Sequence, residues 1–239
     1  MAALDCATAV ILAGGLGTRL RPVVGENPKV LASVRNRPFL AYLLEQIAQA
    51  NIRHAVLCIG YRGDQVRSVL GDTYAGIRLV YSQESSPLGT AGALRLAMPL
   101  LQSDPILVMN GDSLCEADFQ AFGAWHLTRT ADATLLLTQV PDTRRFGRVQ
   151  VDEEGRVLAF EEKDGRNTPG WINAGVYLIS RRLIQAIPAS GAVSLEREVF
   201  PARVGRGLYG YRSQGRFLDI GTPDAYAMAE QFFAAKTQA

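Results

Sequence analysis

Short apolar runs alternate with helix-like segments through the first half of the chain, and this alternation restricts the fold more than any other feature. Ala9–Ala13 (AVILA), His54–Ile59, Ile77–Tyr81 and Pro105–Met109 (PILVM) read as strands. Between them Phe39, Leu40, Leu43, Leu44 and Ile47 fall on one helical face, and further helices are expected over Asp64–Leu70 and Gly89–Leu101. Parallel strands need crossover connections, so the alternation predicts a mainly parallel α/β sheet covered by helices on both faces. Ligands on such sheets bind beyond the carboxyl ends of the strands, which puts the loops after Ala13 and Met109 on one rim.

The second half is richer in strands. Thr134–Val140, Gly147–Val151, Val157–Glu161 and Ile172–Ser180 fit strands, and Asp152–Arg156 (DEEGR) is a hairpin-like turn. These strands are expected to form a lid or wall over the rim. Thr222 and Pro223 suit the N-cap and first position of a last helix.

The balance of 25 Lys and Arg against 23 Asp and Glu, a net charge of +2, argues against nucleic acid or an anionic membrane as a bulk partner. Phosphate affinity must therefore be local. No apolar run is long enough to cross a bilayer, and the first residues lack the basic start and apolar stretch of a secretory signal. Cys6, Cys58 and Cys115 have neither zinc-site nor disulfide-framework spacing. A reducing cytoplasm is expected, with Cys58 as a buried thiol. His54 and His126 form no catalytic or metal constellation, and Trp125 is expected to pack rather than stack on a base.

The first expected strand runs into Leu12-Ala13-Gly14-Gly15-Leu16-Gly17-Thr18-Arg19. Glycines let backbone N–H groups approach an anion, successive N–H groups can cradle phosphate oxygens, and Arg19 adds a permanently charged donor fork. Lys29, after Pro28, could return a second cation to the same place. A plain tight turn would explain the glycines but not Thr18, Arg19 and Pro28-Lys29. The loop lacks the G-K-[ST] ending of a P-loop and is not G-x-G-x-x-G.

Gly14-Gly15-Leu16-Gly17-Thr18-Arg19-Leu20-Arg21-Pro22, followed by Pro28-Lys29, resembles the G-G-x-G-T-R-L-x-P and P-K signature of the sugar-1-phosphate nucleotidyltransferases. The resemblance continues to Tyr226. It implies a Rossmann-like, GT-A-like nucleotidyltransferase fold with a strand-rich sugar-binding lobe. One domain is expected over 1–239, with a nucleotide-binding part at about 1–135 and a sugar-phosphate-binding part at about 136–239. By resemblance Leu12, Ala13, Gly14, Gly15, Gly17, Thr18, Arg19, Lys29, Glu84, Pro87, Gly89, Thr90, Gly111 and Asp112 belong to the nucleotide site. Arg19, Lys29, Asp112, Lys163 and Asp219 are the expected catalytic groups.

Nucleotidyl transfer brings one phosphate anion onto another, and Mg²⁺ relieves that repulsion while taking only one or two protein carboxylates. Asp112 in Asn110-Gly111-Asp112 and Asp219 in Asp219-Ile220-Gly221-Thr222-Pro223 match the family's metal-holding motifs. Taken singly, each Asp also reads as a turn residue or helix cap. The implied reaction is in-line attack of a sugar 1-phosphate with loss of pyrophosphate and no covalent enzyme intermediate.

Glu84-Ser85-Ser86-Pro87-Leu88-Gly89-Thr90-Ala91 is similar to the family's base-recognition loop. Members using thymidine or uridine triphosphates carry Gln where this chain has Glu84. An ionised carboxylate only accepts hydrogen bonds, so it suits the paired donors of guanine and repels the carbonyls of thymine or uracil. Glu84 therefore favours GTP, and a one-residue shift to Gln83 would restore a pyrimidine. On the sugar side, Phe146-Gly147-Arg148-Val149, Phe160-Glu161-Glu162-Lys163 and Ile172-Asn173-Ala174-Gly175-Val176-Tyr177 resemble family motifs. They imply Lys163 on the sugar phosphate, Glu162 and Asn173 on the sugar, and Gly147 beneath it.

Ser194-Leu195-Glu196 resembles a subgroup acting on D-glycero-α-D-manno-heptose 1-phosphate. Mannose 1-phosphate and N-acetylmuramic acid 1-phosphate stay as alternative substrates. A silent nucleotide-sugar sensor on the same fold is the alternative of another class. It would be expected to lose a phosphate-contacting cation or one Asp, and Arg19, Lys29, Asp112, Lys163 and Asp219 are all present. No repeat extension that would add a second activity is evident, and the oligomeric state is not legible.

Overall fold

The computed structural model describes residues 3–161 and 168–234. Four parallel strands form its centre: β1 (Thr8–Leu12), β4 (His54–Ile59), β6 (Ile77–Gln83) and β7 (Ile106–Asn110), in the order β6-β4-β1-β7. Short strands lie between them in sequence: the hairpin β2 (Ser33–Val34) and β3 (Arg37–Pro38), and β5 (Thr73–Tyr74) on the outer edge of β6. The helices expected from periodicity are present as Phe39–Gln49, Gly63–Leu70 and Gly89–Leu96. The last is shorter than expected. Pro99 cannot donate a backbone hydrogen bond, and the chain passes into a 3-10 turn over Met98–Leu100.

Alternate residues of the central strands feed two separate cores, as the two-residue period of a strand requires. Ala9, Ile11, Leu57 and Met109 face the helix carrying Phe39, Leu43 and Ile47. Val10, Val56, Cys58 and Val108 face the helix carrying Ala91 and Leu94. Burial pushes the Cys58 thiol up to about 12, which makes it packing rather than a nucleophile.

Strands from the second half extend this sheet instead of standing over its rim. β12 (Gly170–Ile179) runs antiparallel to β7 through Val176–Ile179 and also pairs with β9 (Ala133–Val140), which carries β13 (Leu208–Ser213) on its far edge. The hairpin of β10 (Arg148–Val151) and β11 (Val157–Glu161) joins the same sheet alongside the start of β12. The reason is edge satisfaction: the open side of β7 needs main-chain partners, and the apolar run Val176–Ile179 supplies them without exposing backbone.

His126 closes the helix Phe119–Leu127 and is buried 2.7 Å from Thr134 Oγ1, with its pKa lowered to about 4 by burial. It is a packed, neutral residue. Trp125 packs edge-on against Tyr209 and Tyr211 and carries the Arg129 guanidinium on its face. Thr222 caps the helix Pro223–Ala227 through Oγ1, as expected. Among the described residues no helix is long and apolar enough to cross a membrane.

A two-stranded ribbon was not legible in the sequence. β8 (Ser113–Cys115) pairs antiparallel with β14 (Phe217–Asp219), setting Asp219 opposite Ser113. Gly215 makes the ribbon possible: a Cβ there would lie 1.4 Å from the Glu116 carbonyl oxygen. Gly215→Ala should therefore force the ribbon apart. A loss of about 2 kcal/mol or more is expected, read as a melting temperature lower by roughly 4 °C or more. An unchanged melting temperature would show that the ribbon yields freely.

Candidate functional site

A cavity of about 430 Å³ opens at the carboxyl end of β1. Its floor is the loop Leu12–Arg19, its walls are Lys29, Glu84, Pro87, Gly89 and Thr90, and Asn110, Asp112 and Gly221 close the far side. Thirteen of the fourteen residues expected around the nucleotide thus line one space. The exception is Gly111, which sits just beneath. Its N–H donates to the Leu12 carbonyl at 3.0 Å, and a Cβ there would come within 2.8 Å of the same oxygen.

Main-chain bonds hold the two ends of the glycine-rich loop. Ala13 N–H donates to Cys58 O at 2.8 Å, and Gly17 O accepts from Leu20 and Arg21 N–H as the helix Arg21–Val24 begins. From Gly14 to Arg19 the backbone N–H groups have no acceptor among the described residues. Arg19 is exposed and forms no ion pair among those residues. Exposed N–H groups beside an unspent guanidinium form a place suited to an anion.

Glu84 follows β6, and its position settles which of two neighbours faces the cavity. Gln83 pairs with Ile59 in the sheet and is exposed, whereas Glu84 is half-buried and lines the cavity. Its Oε2 accepts from Leu88 N–H at 3.1 Å. Oε1 lies against bare main chain: a Cβ on Gly14 would come within 2.6 Å of it. Burial raises the Glu84 carboxyl above the usual carboxylate range, opposed by the Leu88 bond.

Asp112 and Asp219 come together through the ribbon. Ile220 N–H donates to Asp112 O at 2.9 Å, so Asp112, in the turn just before β8, sits beside the end of β14 that carries Asp219, although the two are 107 positions apart in sequence (219 − 112). Each carboxylate is met by a cation: Lys29 Nζ lies 2.6 Å from Asp112 Oδ2, and Arg145 Nη2 lies 3.2 Å from Asp219 Oδ1. Asp219 Oδ1 also accepts from Gly221 N–H at 2.7 Å. Among the described residues no group of three or more His, Cys, Asp or Glu could hold a metal. Two hard oxygen donors nevertheless fit a divalent cation that draws its other ligands from phosphates and water, the habit of Mg²⁺.

The expected sugar residues are less fully gathered. Asn173 is half-buried on β12; its Nδ2 donates to Tyr177 OH at 2.9 Å and its Oδ1 accepts from Gly175 N–H at 2.9 Å. Gly147 is exposed just before β10. Glu162 and Lys163 lie outside the described residues. Asn110, Gly221, Arg145 and Tyr177 were not singled out from the sequence. Asn110 and Tyr177 stood inside recognised motifs, but Arg145 carried no signal beyond its proximity to Phe146-Gly147.

The nucleotidyl transferase family model matches residues 8–236. Mannose-1-phosphate guanylyltransferase of Mycobacterium tuberculosis is 41% identical over 91% of this chain and 62% of its own length. D-glycero-alpha-D-manno-heptose 1-phosphate guanylyltransferase of Aneurinibacillus thermoaerophilus is 36% identical over 93% of this chain and 96% of its own. The chain thus spans about three-fifths of the mannose relative and nearly all of the heptose relative. The crystal structure of HddC from Yersinia pseudotuberculosis complexed with GMP-PN has a TM-score of 0.84 and 32% identity, covering 95% of this chain and 99% of that one. With the family model spanning nearly the whole chain and a 36% identical relative matched over almost its full length, the chain belongs to the nucleotidyl transferase family.

Proposed function

We propose that this protein transfers a guanylyl group from GTP to a manno-configured sugar 1-phosphate, D-glycero-α-D-manno-heptose 1-phosphate in the first instance, releasing pyrophosphate. The observation that carries the choice of base is Glu84, whose carboxylate enters the cavity while Gln83 turns away. A carboxylate accepts both edge donors of guanine and repels the carbonyls of a pyrimidine. The near full-length match to the heptose relative supports the sugar, and the 41% identity to the mannose relative keeps mannose 1-phosphate as the second reading.

Arg19 and the N–H groups of the glycine-rich loop hold the triphosphate and stabilise charge as the pyrophosphate leaves. Asp112 and Asp219 hold a divalent cation, Mg²⁺ in this reading. When bound, it offsets the negative charge of the phosphate oxygens. Lys29 lies beside Asp112 and is available to the phosphates. Lys163 binds the sugar phosphate, Glu162 and Asn173 bind sugar hydroxyls, and Gly147 lets the ring approach the backbone. Positioning two phosphates in line then suffices without a covalent intermediate. One domain carries both halves of the site, and the three free cysteines suit a reducing cytoplasm.

A matrix of nucleoside triphosphates against sugar 1-phosphates, read by pyrophosphate release, tests the assignment. GTP should be preferred, and no turnover with any pair would leave a silent sensor as the better reading. Glu84→Gln should lower kcat/KM for GTP by about tenfold to a hundredfold, the worth of a lost charged hydrogen bond, and raise relative use of UTP. An undiminished preference for GTP would remove Glu84 from base selection.

The pH dependence has a definite sign. Guanine binds the ionised carboxylate, so GTP affinity should be full above the raised pKa of free Glu84 and fall as pH drops through it. Titration of GTP binding from neutral to acid pH should show this limb in the wild type and not in Glu84→Gln. Asp112→Asn and Asp219→Asn should each reduce Mg²⁺-supported turnover by roughly a thousandfold while thermal unfolding stays cooperative. Near-normal rates in either would defeat the metal assignment.

A further inference from the structure

Glu196 stands in the Ser194-Leu195-Glu196 motif, and its carboxylate joins Thr90 of the cavity wall to Tyr177 of β12. Oε2 accepts from Thr90 Oγ1 at 2.7 Å and from Ser194 Oγ at 3.1 Å, and Oε1 accepts from Tyr177 OH at 3.0 Å. Thr90 in turn accepts from Leu195 N–H at 2.8 Å. Main-chain bonds fasten the same segment to the start of the helix Gly89–Leu96: Val193 N–H donates to Leu88 O at 2.8 Å, and Val193 O accepts from Ala91 N–H at 3.0 Å. The turn Leu195–Val199 is thereby bound to the nucleotide wall.

Tyr177 is fully buried against Phe200 and has one hydroxyl proton. Burial, reinforced by the charge of Glu196, pushes the phenol well above its usual range, so that proton stays in place. A carboxylate cannot donate, and so the proton goes to Glu196. The Tyr177 oxygen must then accept from its other neighbours, and it does: Asn173 Nδ2 at 2.9 Å and Asn110 Nδ2 at 3.4 Å. Asn110 keeps this orientation although its Oδ1 is buried without a partner among the described residues.

We propose that Glu196 is a positioning residue: through the single proton of Tyr177 it sets the amide orientation of Asn110 and, together with Gly175 N–H, that of Asn173, and through Thr90 it ties that orientation to the nucleotide wall. Asn173 spends Oδ1 on Gly175 and one amide proton on Tyr177, which leaves a defined N–H for a sugar hydroxyl. The inference rests on the guanylyl-transfer reading for its consequence, and on the hydrogen-bond polarity for its mechanism. Glu196→Gln would leave the shape but let the side chain donate to Tyr177, freeing the tyrosine proton to turn an asparagine carbonyl inward.

The test uses the full chain as wild type, Glu196→Gln, Tyr177→Phe, Asn173→Ala and the Glu196→Gln/Asn173→Ala double variant. Nitrogen-15 NMR of the ligand-free proteins follows the Asn173 side-chain amide, identified by its loss in Asn173→Ala. Kinetics use GTP with mannose 1-phosphate and with D-glycero-α-D-manno-heptose 1-phosphate. Glu196→Gln and Tyr177→Phe should shift the Asn173 amide signals and lower kcat/KM for the sugar phosphate by about tenfold, the worth of one hydrogen bond, with melting cooperative. In the Asn173→Ala background Glu196→Gln should cost less than about twofold more, because both act through one group. Unmoved amide signals, or losses that multiply, would overturn the proposal. If the wild type turns over neither pair, the guanylyl-transfer reading fails by itself, and the amide signals still decide whether Glu196 orients Asn173.

Discussion

Strand β1 lies between β4 and β7, paired in parallel with both and buried on both faces, and the site depends on this placement. A parallel centre ends all its strands on one rim, so the chain after Leu12 and the chain after Asn110 emerge side by side. Two short bonds then close the corner: Ala13 N–H to Cys58 O, and Gly111 N–H to Leu12 O. The glycine-rich loop is held at its root and left open at its tip. Its N–H groups stay available because the neighbouring strands already satisfy the main chain on either side.

The second constraint is electrostatic. The cavity collects Arg19, Lys29, Glu84 and Asp112 in a small space, with Asp219 and Arg145 beside it. Lys29 with Asp112 and Arg145 with Asp219 keep the carboxylates from facing each other uncompensated. Charge neutrality of this kind lets like charges sit near one another. Glu84 meets no such cation among the described residues, and its raised pKa registers the cost of burying a carboxylate against glycine backbone.

Several parts of the fold were legible because they are local. Strands of alternating double burial and the helix bearing Phe39, Leu43 and Ile47 follow from side-chain period alone. Thr222-Pro223 announced a helix start through cap chemistry. The loop Gly14–Arg19 was readable as an anion cradle from its glycines and Arg19, and the reaction attached to it came from the resemblance of the wider signature. Strand partners were not readable. Nothing in Val176–Ile179 says that it will cover the edge of β7 rather than stand over the rim, since any apolar strand could satisfy that edge.

The sequence by itself determined an α/β chain with a loop suited to an anion, two candidate carboxylates and Glu84 as the base reader, with Gln83 one register step away. Only the tertiary structure put Glu84 rather than Gln83 against the cavity, because strand register sends adjacent residues to opposite sides and register is set by the partner strand. Only it showed how Asp112 meets Asp219, through a ribbon whose close approach depends on Gly215, just before β14. Only it placed Glu196 on Tyr177 and Thr90, a contact between segments that share no local pattern. Local chemistry selects which residues can act; long-range pairing selects which of them meet.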